Sequence, residues 1–247
     1  MSKYDSLLED FQLVFVNNDS LMSHVHKIRY EIFCKELELE ESNPKNVEQD
    51  EFDAYSFHYL LQHKRSNQYA GTMRMVLPPC HLPELLTPLE KYCLNAVDLN
   101  IIDISKLARG SFAEVSRLAV PKLFRKRAED RGKPDITKAG VTTPNRRQCP
   151  HIAIGLYLTA AALFLLNQLD YVFIMIEPKF VHSLARVGLQ FEQMGEVVDY
   201  HGQRAPFFIT PERLKKHLNP ELKPLYSQIM KQVRDDLRLH HPISKVG

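Results

Sequence analysis

Glu114 and Arg117 stand three residues apart inside an apolar, β-branched run of strand length, FAEVSRLAV at 112–120, bounded by Gly110-Ser111 before it and Pro121 after it. A strand with a buried face excludes charge. The two residues therefore form either a surface ion pair on a solvated edge or part of a site where paired charge is useful. Successive strand residues point to opposite faces, so residues three apart diverge unless a β-bulge re-aims one of them. A carboxylate whose pKa is raised by an apolar setting can act as a general base, and a guanidinium can grip a carboxylate through two parallel bonds. Other charges interrupt apolar elements in the same way: Arg29 on a helix, Arg74 on a strand, and Asp50 with Asp53 at the end of an acidic stretch.

The elements that must position these residues follow from periodicity. Residues 11–16 (FQLVFV) predict a first strand, and Asn17 to Ser20 offer N-cap chemistry for a helix on which Leu21, Val25, Ile28 and Ile32 recur at 3.6-residue spacing to about Leu37. Arg29 and Phe33 lie i,i+4 on a neighbouring stripe of it. The stretch 38–52 is polar and reads as a loop able to close over a site. Residues 57–63 and 68–77 predict a hairpin, with Arg74 sharing a face with Ala70, Thr72 and Val76. Such a lone arginine is more often edge-exposed than functional. A connection at 82–104 holds a short helix, the strand 112–120 follows, and 121–150 is a long basic loop insertion without periodicity. An apolar helix at 151–169, a buried strand at 171–176 and an amphipathic helix at 180–191 that stops near Gly195 come next. Residues 196–200 and 205–209 close the domain as a hairpin across His201 to Arg204.

This order predicts an α/β fold with a mixed sheet and helices on both faces, one domain over 1–210. The tail 211–247 has two Pro-initiated helix starts and an apolar stripe at Leu222, Leu225, Ile229, Val233 and Leu237, and predicts a helical extension docked on the same domain.

Composition narrows the class of function. The chain has 247 residues and a net charge of +2, which calls for no nucleic acid. Its basic residues are uneven, with Arg125, Lys126, Arg127, Arg146 and Arg147 in one segment, which fits an acidic partner or a solvated loop. Cys34, Cys80, Cys93 and Cys149 have neither zinc-ligand spacing nor a partnered histidine, so neither a metal site nor a cysteine nucleophile is expected. The N-terminus has no signal-peptide pattern and the longest apolar run is short of a span, which predicts a cytoplasmic protein without stable membrane insertion.

The order Arg29-x3-Phe33, Asp50-x2-Asp53, Arg74 in GTMRMV and Glu114-x2-Arg117 in EVSRLAV resembles the acyl-homoserine-lactone (autoinducer) synthases. The phrases IRYEIFCKEL, GTMRMV and EVSRLAVPKLFRKR look like the bacterial N-acyl amino acid synthases and the acyltransferases associated with PEP-CTERM/exosortase systems. The resemblance spans residues 11–209 and implies the GNAT N-acyltransferase fold, a mostly antiparallel central sheet flanked by helices.

It also implies an activity, transfer of a fatty acyl group from a thioester to the amine of an amino acid or similar small molecule. Glu114, Arg117, Arg74 and Asp53 are then the expected catalytic residues, with Glu114 as base. Arg29, Phe33, Asp50, Ser116, Leu118 and Val120 would contact substrate, the backbone N–H groups at 118–120 supplying an oxyanion hole, with a structural ion pair as the other reading of the charged residues and the favoured one for Arg29 with Asp53. Leu39 stands near the place where lactone synthases carry a tryptophan, and this chain has none. The glycine-rich Q/R-x-x-G-x-G/A loop that would cradle coenzyme A pyrophosphate is missing between Val120 and Ile152. The implied donor is therefore acyl carrier protein, docked on Arg125, Lys126, Arg127, Arg146 and Arg147, with acyl-coenzyme A as the alternative and no tightly bound cofactor. Lactone synthesis from S-adenosylmethionine and a non-catalytic acyl- or carrier-binding module are the competing readings.

Overall fold

The structure, a computed structural model, describes residue 4 and residues 7–125 and 149–240. Alternation sets the sheet. In β1 (Phe11–Phe15), Phe11, Leu13 and Phe15 are buried and Gln12 is exposed. β1 pairs antiparallel with β2 (Ser56–His63), β2 with β3 (Tyr69–Val76), and β3 with β4 (Phe112–Ala119). β4 then runs parallel to β5 (Tyr171–Ile176), and β5 antiparallel to β8 (Gln203–Ile209). The short β6 (Glu192–Gln193) and β7 (Val198–Asp199) also pair with β8. The β4–β5 register runs only from Phe112 opposite Tyr171 to Glu114 opposite Phe173. Past Glu114 the two strands no longer pair, which opens the middle of the sheet.

Each face carries its own helices. On one, α4 (Cys149–Leu166) lies across β2, β3 and β4 over Tyr59, Leu61, Met73, Met75 and Ala113, with α1 (Leu7–Asp10) beside it. On the other, α2 (Asp19–Arg29) sets Val25 against Val16 and Leu60, and α3 (Pro88–Tyr92) sets Leu89 over Phe112 and Phe173. This is the mixed sheet with helices on both faces that the sequence predicts. No described helix is long and apolar enough to cross a membrane.

Three helices differ from their predicted extents, α4 by ending at Leu166 rather than at 169. The helix starting at Asp19 is α-helical only to Arg29 and widens to a π-helix over Tyr30–Glu36, where the Leu37 N–H reaches back five residues to the Ile32 carbonyl. α5 (Pro178–Arg186) stops well short of Gly195, because Gly188 at φ 90° ends it. There the Leu189 N–H bonds the Leu184 carbonyl and the Gly188 N–H bonds the Ala185 carbonyl, a Schellman ending closed by contact of Leu184 with Leu189. The predicted turn 201–204 is also shorter: His201 and Gly202 make it with positive φ, and Arg204 already belongs to β8.

The tail forms α6 (Pro211–His217) and α7 (Lys223–His240), and α7 packs on α4 and β1 with Leu225, Ile229, Val233 and Leu237 all buried. Ile229 is fully enclosed, whereas Leu239 is 75% exposed. In urea denaturation Ile229→Val should therefore cost about 1 kcal/mol for one buried methyl group. Leu239→Ala should cost under about 0.5 kcal/mol. Equal effects at the two positions would mean that α7 does not stay docked in solution.

Candidate active site

The bulge that the spacing of Glu114 and Arg117 demands is present. Thr72 faces Ala119 and Arg74 faces Ser116, so β4 spends three steps where β3 spends two, and Arg117 takes φ 51°. A non-glycine residue in that region is uncommon, and here it turns the Arg117 side chain toward the cavity that Glu114 also lines.

Glu114 is 2% exposed. Its Oε2 accepts the Leu89 N–H at 2.7 Å from the start of α3, where Thr87 caps the helix and Pro88 occupies its first turn. Burial dominates its acidity. It outweighs the Leu89 N–H and the charges of Arg74 and Arg117, and raises the carboxyl pKa to about 7.

Behind β4 three guanidinium groups meet four carboxylates. Arg29, fully buried, bonds Glu48 and, at 2.6 Å, Asp53. Arg74 bonds Asp50 and, at 2.8 Å, Asp53, while its Nε donates to the Ser116 hydroxyl at 3.1 Å. Arg117 reaches Glu48 at 3.1 Å and Glu40 at 2.6 Å and lies 5.4 Å over the Phe33 ring. His26 and His58 approach Asp53 at 3.4 and 3.6 Å. Burial pushes Asp53 up, but the His26 ring and the charges of Arg29 and Arg74 outweigh it and hold the group well below the usual carboxylate range. The same burial lowers the pKa of His58 to about 3, so it is neutral. Asp50 and Asp53 also close the acidic stretch locally: Asp50 caps the 3-10 turn Glu51–Tyr55 and Asp53 accepts the Asp50 N–H. The loop is thus folded down onto the sheet by charge.

A cavity of about 500 Å³ passes through the gap between β4 and β5. Glu114 and Pro88 meet it from one face of the sheet, and Tyr157, Ala161 and Phe164 of α4 from the other. Val172 and Ile174 of β5 and Leu184 of α5 extend its apolar wall. Of the residues expected from sequence, Glu114, Arg117, Phe33, Ser116, Leu118 and Arg125 line it. Arg29, Asp50, Asp53 and Arg74 stand in the ionic network instead, and Val120 packs in the core. Arg125 pairs with Glu36; Lys126, Arg127, Arg146 and Arg147 lie outside the described residues.

Sequence reading missed Glu48, Glu40, Tyr200, His201 and Arg204. The signal for Glu48 was charge counting: three arginines in apolar elements demand buried carboxylates, and Asp50 and Asp53 supply only two. His201 ties the acidic loop to the turn before β8, with Nδ1 2.8 Å from the Leu39 carbonyl oxygen.

Comparison with known proteins agrees with this layout. The Acetyltransferase (GNAT) domain model matches residues 28–131, a span that includes the widened helix, the acidic loop, β3 and β4. The solved AHL synthase LasI is similar in structure, with TM-score 0.55 at 16% identity over 85% of this chain and 95% of that one. FeeM, an N-acyl amino acid synthase from uncultured soil microbes, is similar at TM-score 0.55 and 14% identity over 87% of this chain and 96% of that one. BjaI, a CoA-dependent acyl-homoserine lactone synthase solved with MTA, is similar at TM-score 0.53 and 14% identity over 96% of this chain and 87% of that one. No curated protein matches by sequence. The chain has the GNAT fold, and its residues 28–131 match the GNAT domain model.

Proposed function

We propose that this acyltransferase of the GNAT type moves a fatty acyl group from a thioester to the amine of an amino acid or similar small molecule. One observation carries the reading: a buried glutamate with a pKa near 7 faces a long apolar cavity at the point where β4 and β5 part. The similarity to FeeM, an N-acyl amino acid synthase, supports it.

In this reading the acyl chain lies between α4 and β5, and its thioester carbonyl sits at the gap. There, backbone N–H groups of β4 beyond Glu114 that point away from β3 have no β5 partner and can receive the oxyanion. Glu114 takes the ammonium proton directly or through one water, and the amine attacks the carbonyl carbon. The tetrahedral intermediate collapses to an amide and expels the thiolate, which takes up a proton. Arg74 and Asp53 hold the acidic loop and Ser116 in place and do not touch the reacting atoms. Arg117, gripped by Glu40 and Glu48, seats Phe33 at the cavity wall. The donor is the thioester of an acyl carrier protein or of coenzyme A.

The cavity wall gives the test. Ala161 lines it from α4 and is 6% exposed. With acyl thioesters of graded length, Ala161→Phe should move the preferred chain to shorter acyl groups, read as amine-dependent release of free thiol, and leave the rate with an acetyl donor within about threefold. An unchanged length profile would remove the acyl chain from this cavity.

A further inference from the structure

Arg204 lines the cavity from the first turns of β8, and among the described residues it forms no ion pair and no hydrogen bond through its side chain. It is half-buried, with Nε shielded from solvent and unpartnered. The neighbouring arginines differ from it in this respect. Arg29, Arg74 and Arg117 are all engaged by Glu40, Glu48, Asp50 and Asp53, a set with one more negative than positive charge. Glu177, also at the cavity, is ion-paired with Lys179. Burial and the like charge of Arg117 both push the Arg204 pKa down, the reverse of what the carboxylates do for Arg117. A partly shielded guanidinium that has no ion pair of its own, with Glu177 acting on it only from beyond pairing distance, destabilises the chain that carries it. On a cavity wall it is a receptor for an anionic group of a ligand.

Resting on the acyl-transfer reading above, we infer that Arg204 binds the carboxylate of an amino-acid acceptor while Glu114 meets its amine. Both groups line the same cavity of about 500 Å³, so one small molecule held there can meet both. The charge pattern suits a zwitterion. Glu114 at the cavity can take a proton from an ammonium, and of the arginines lining the cavity Arg117 and Arg125 are ion-paired whereas Arg204 is not. Arg74 and Arg117 are each ion-paired to loop carboxylates and Arg204 to none among the described residues, so the acceptor's carboxylate falls to Arg204. A phosphate on the donor's pantetheine arm shares this anion chemistry. It is best met by several converging donors, among them helix N-terminal N–H groups, whereas Arg204 offers one fork beside the Tyr200 ring.

The test compares each amino acid with its own amide as acceptor in the intact chain. For Arg204→Gln the KM for amino acids should rise about thirtyfold, the loss expected for a charge-assisted pair, with kcat/KM for the amides within about threefold of the unaltered chain. Arg204→Lys should restore part of the amino-acid preference, which a merely structural role would not produce. Equal losses with amino acids and amides overturn the inference, and so does a KM increase confined to the thioester, which would assign Arg204 to the donor's phosphate. If the unaltered chain acylates no amine, it is the acyl-transfer reading that fails. The arginine is then judged by calorimetric binding of an N-acyl amino acid against its amide, with weaker binding of the acid alone in Arg204→Gln upholding the carboxylate receptor and equal binding rejecting it.

Discussion

Glu114→Gln is expected to lower kcat by about a thousandfold, within the range a positioned general base contributes, while making the protein more stable above pH 7. Both effects come from one fact, the burial that raises the carboxyl from 4.5 to about 7. The unfolded chain releases the Glu114 proton near pH 4.5 and the folded chain only near 7. The stability associated with this group is therefore fully present below about 4.5 and lost as pH rises through 7. A shift of that size corresponds to about 3 kcal/mol at pH 8, an upper figure because the charged group relaxes its surroundings. Gln can still accept the Leu89 N–H and never ionises. Thermal unfolding should therefore place Glu114→Gln near the unaltered protein at pH 5 and several degrees above it at pH 8. The unaltered enzyme's kcat/KM should rise with pH through an inflection near 7 that the variant lacks. A stability difference independent of pH would mean that Glu114 is not held neutral by burial, and near-normal turnover would remove it from the base role.

Arg74→Ala should be the most destabilising single change in the site, by about 3–5 kcal/mol at pH 7, because it strands buried carboxylates without their partner. Arg74 is 1% exposed and bridges Asp50 and Asp53 through Nη1 while Nε holds Ser116. Without it Asp53 keeps Arg29, the two histidines and the Asp50 N–H, and Asp50 keeps Arg29 at 3.8 Å and Arg117 at 3.7 Å. The sign of the pH dependence follows. Asp53 is depressed in the folded chain, so its stabilising contribution is present above the ordinary carboxylate range and persists far into acid. In Arg74→Ala its pKa moves up, the carboxylate can neutralise itself, and the stability gap between the two proteins should shrink as pH falls toward 4. Arg74→Lys keeps the charge but loses the fork and should fall between them. Urea titrations at pH 7 and pH 4.5 decide the matter, and a gap that stays constant would make Arg74 a packing residue only.

Much of this site was legible before the fold, for reasons particular to each residue. A strand of period two cannot bring residues 114 and 117 to one cavity, so the bulge at Arg117 follows from their spacing once a shared role is supposed. Arg29, Arg74, Asp50 and Asp53 were visible as charges inside apolar or loop elements, and they do assemble, but around each other behind the cavity rather than in it. What stayed hidden was hidden by geometry. A π-widening adds one residue per turn without altering composition, so nothing in YEIFCKE marks it. The dipeptide His201-Gly202 made HGQR read as a turn, which put Arg204 outside the strand that carries it to the cavity wall. Glu48 sits in a stretch so acidic that no single carboxylate stands out, although it accepts hydrogen bonds from both Arg29 and Arg117. The end of α5 was misplaced by one glycine: Gly188, not Gly195, adopts the left-handed conformation that stops a helix.

The most direct measurement is the mass of the product formed when the purified chain is given a long-chain acyl thioester, on carrier protein or coenzyme A, with a mixture of nitrogen-15-labelled amino acids. The account predicts a labelled N-acyl amino acid in equal amount to the free thiol released, and none from Glu114→Gln under the same conditions. Free fatty acid with no labelled amide, or a homoserine lactone formed only when S-adenosylmethionine is supplied, would contradict it.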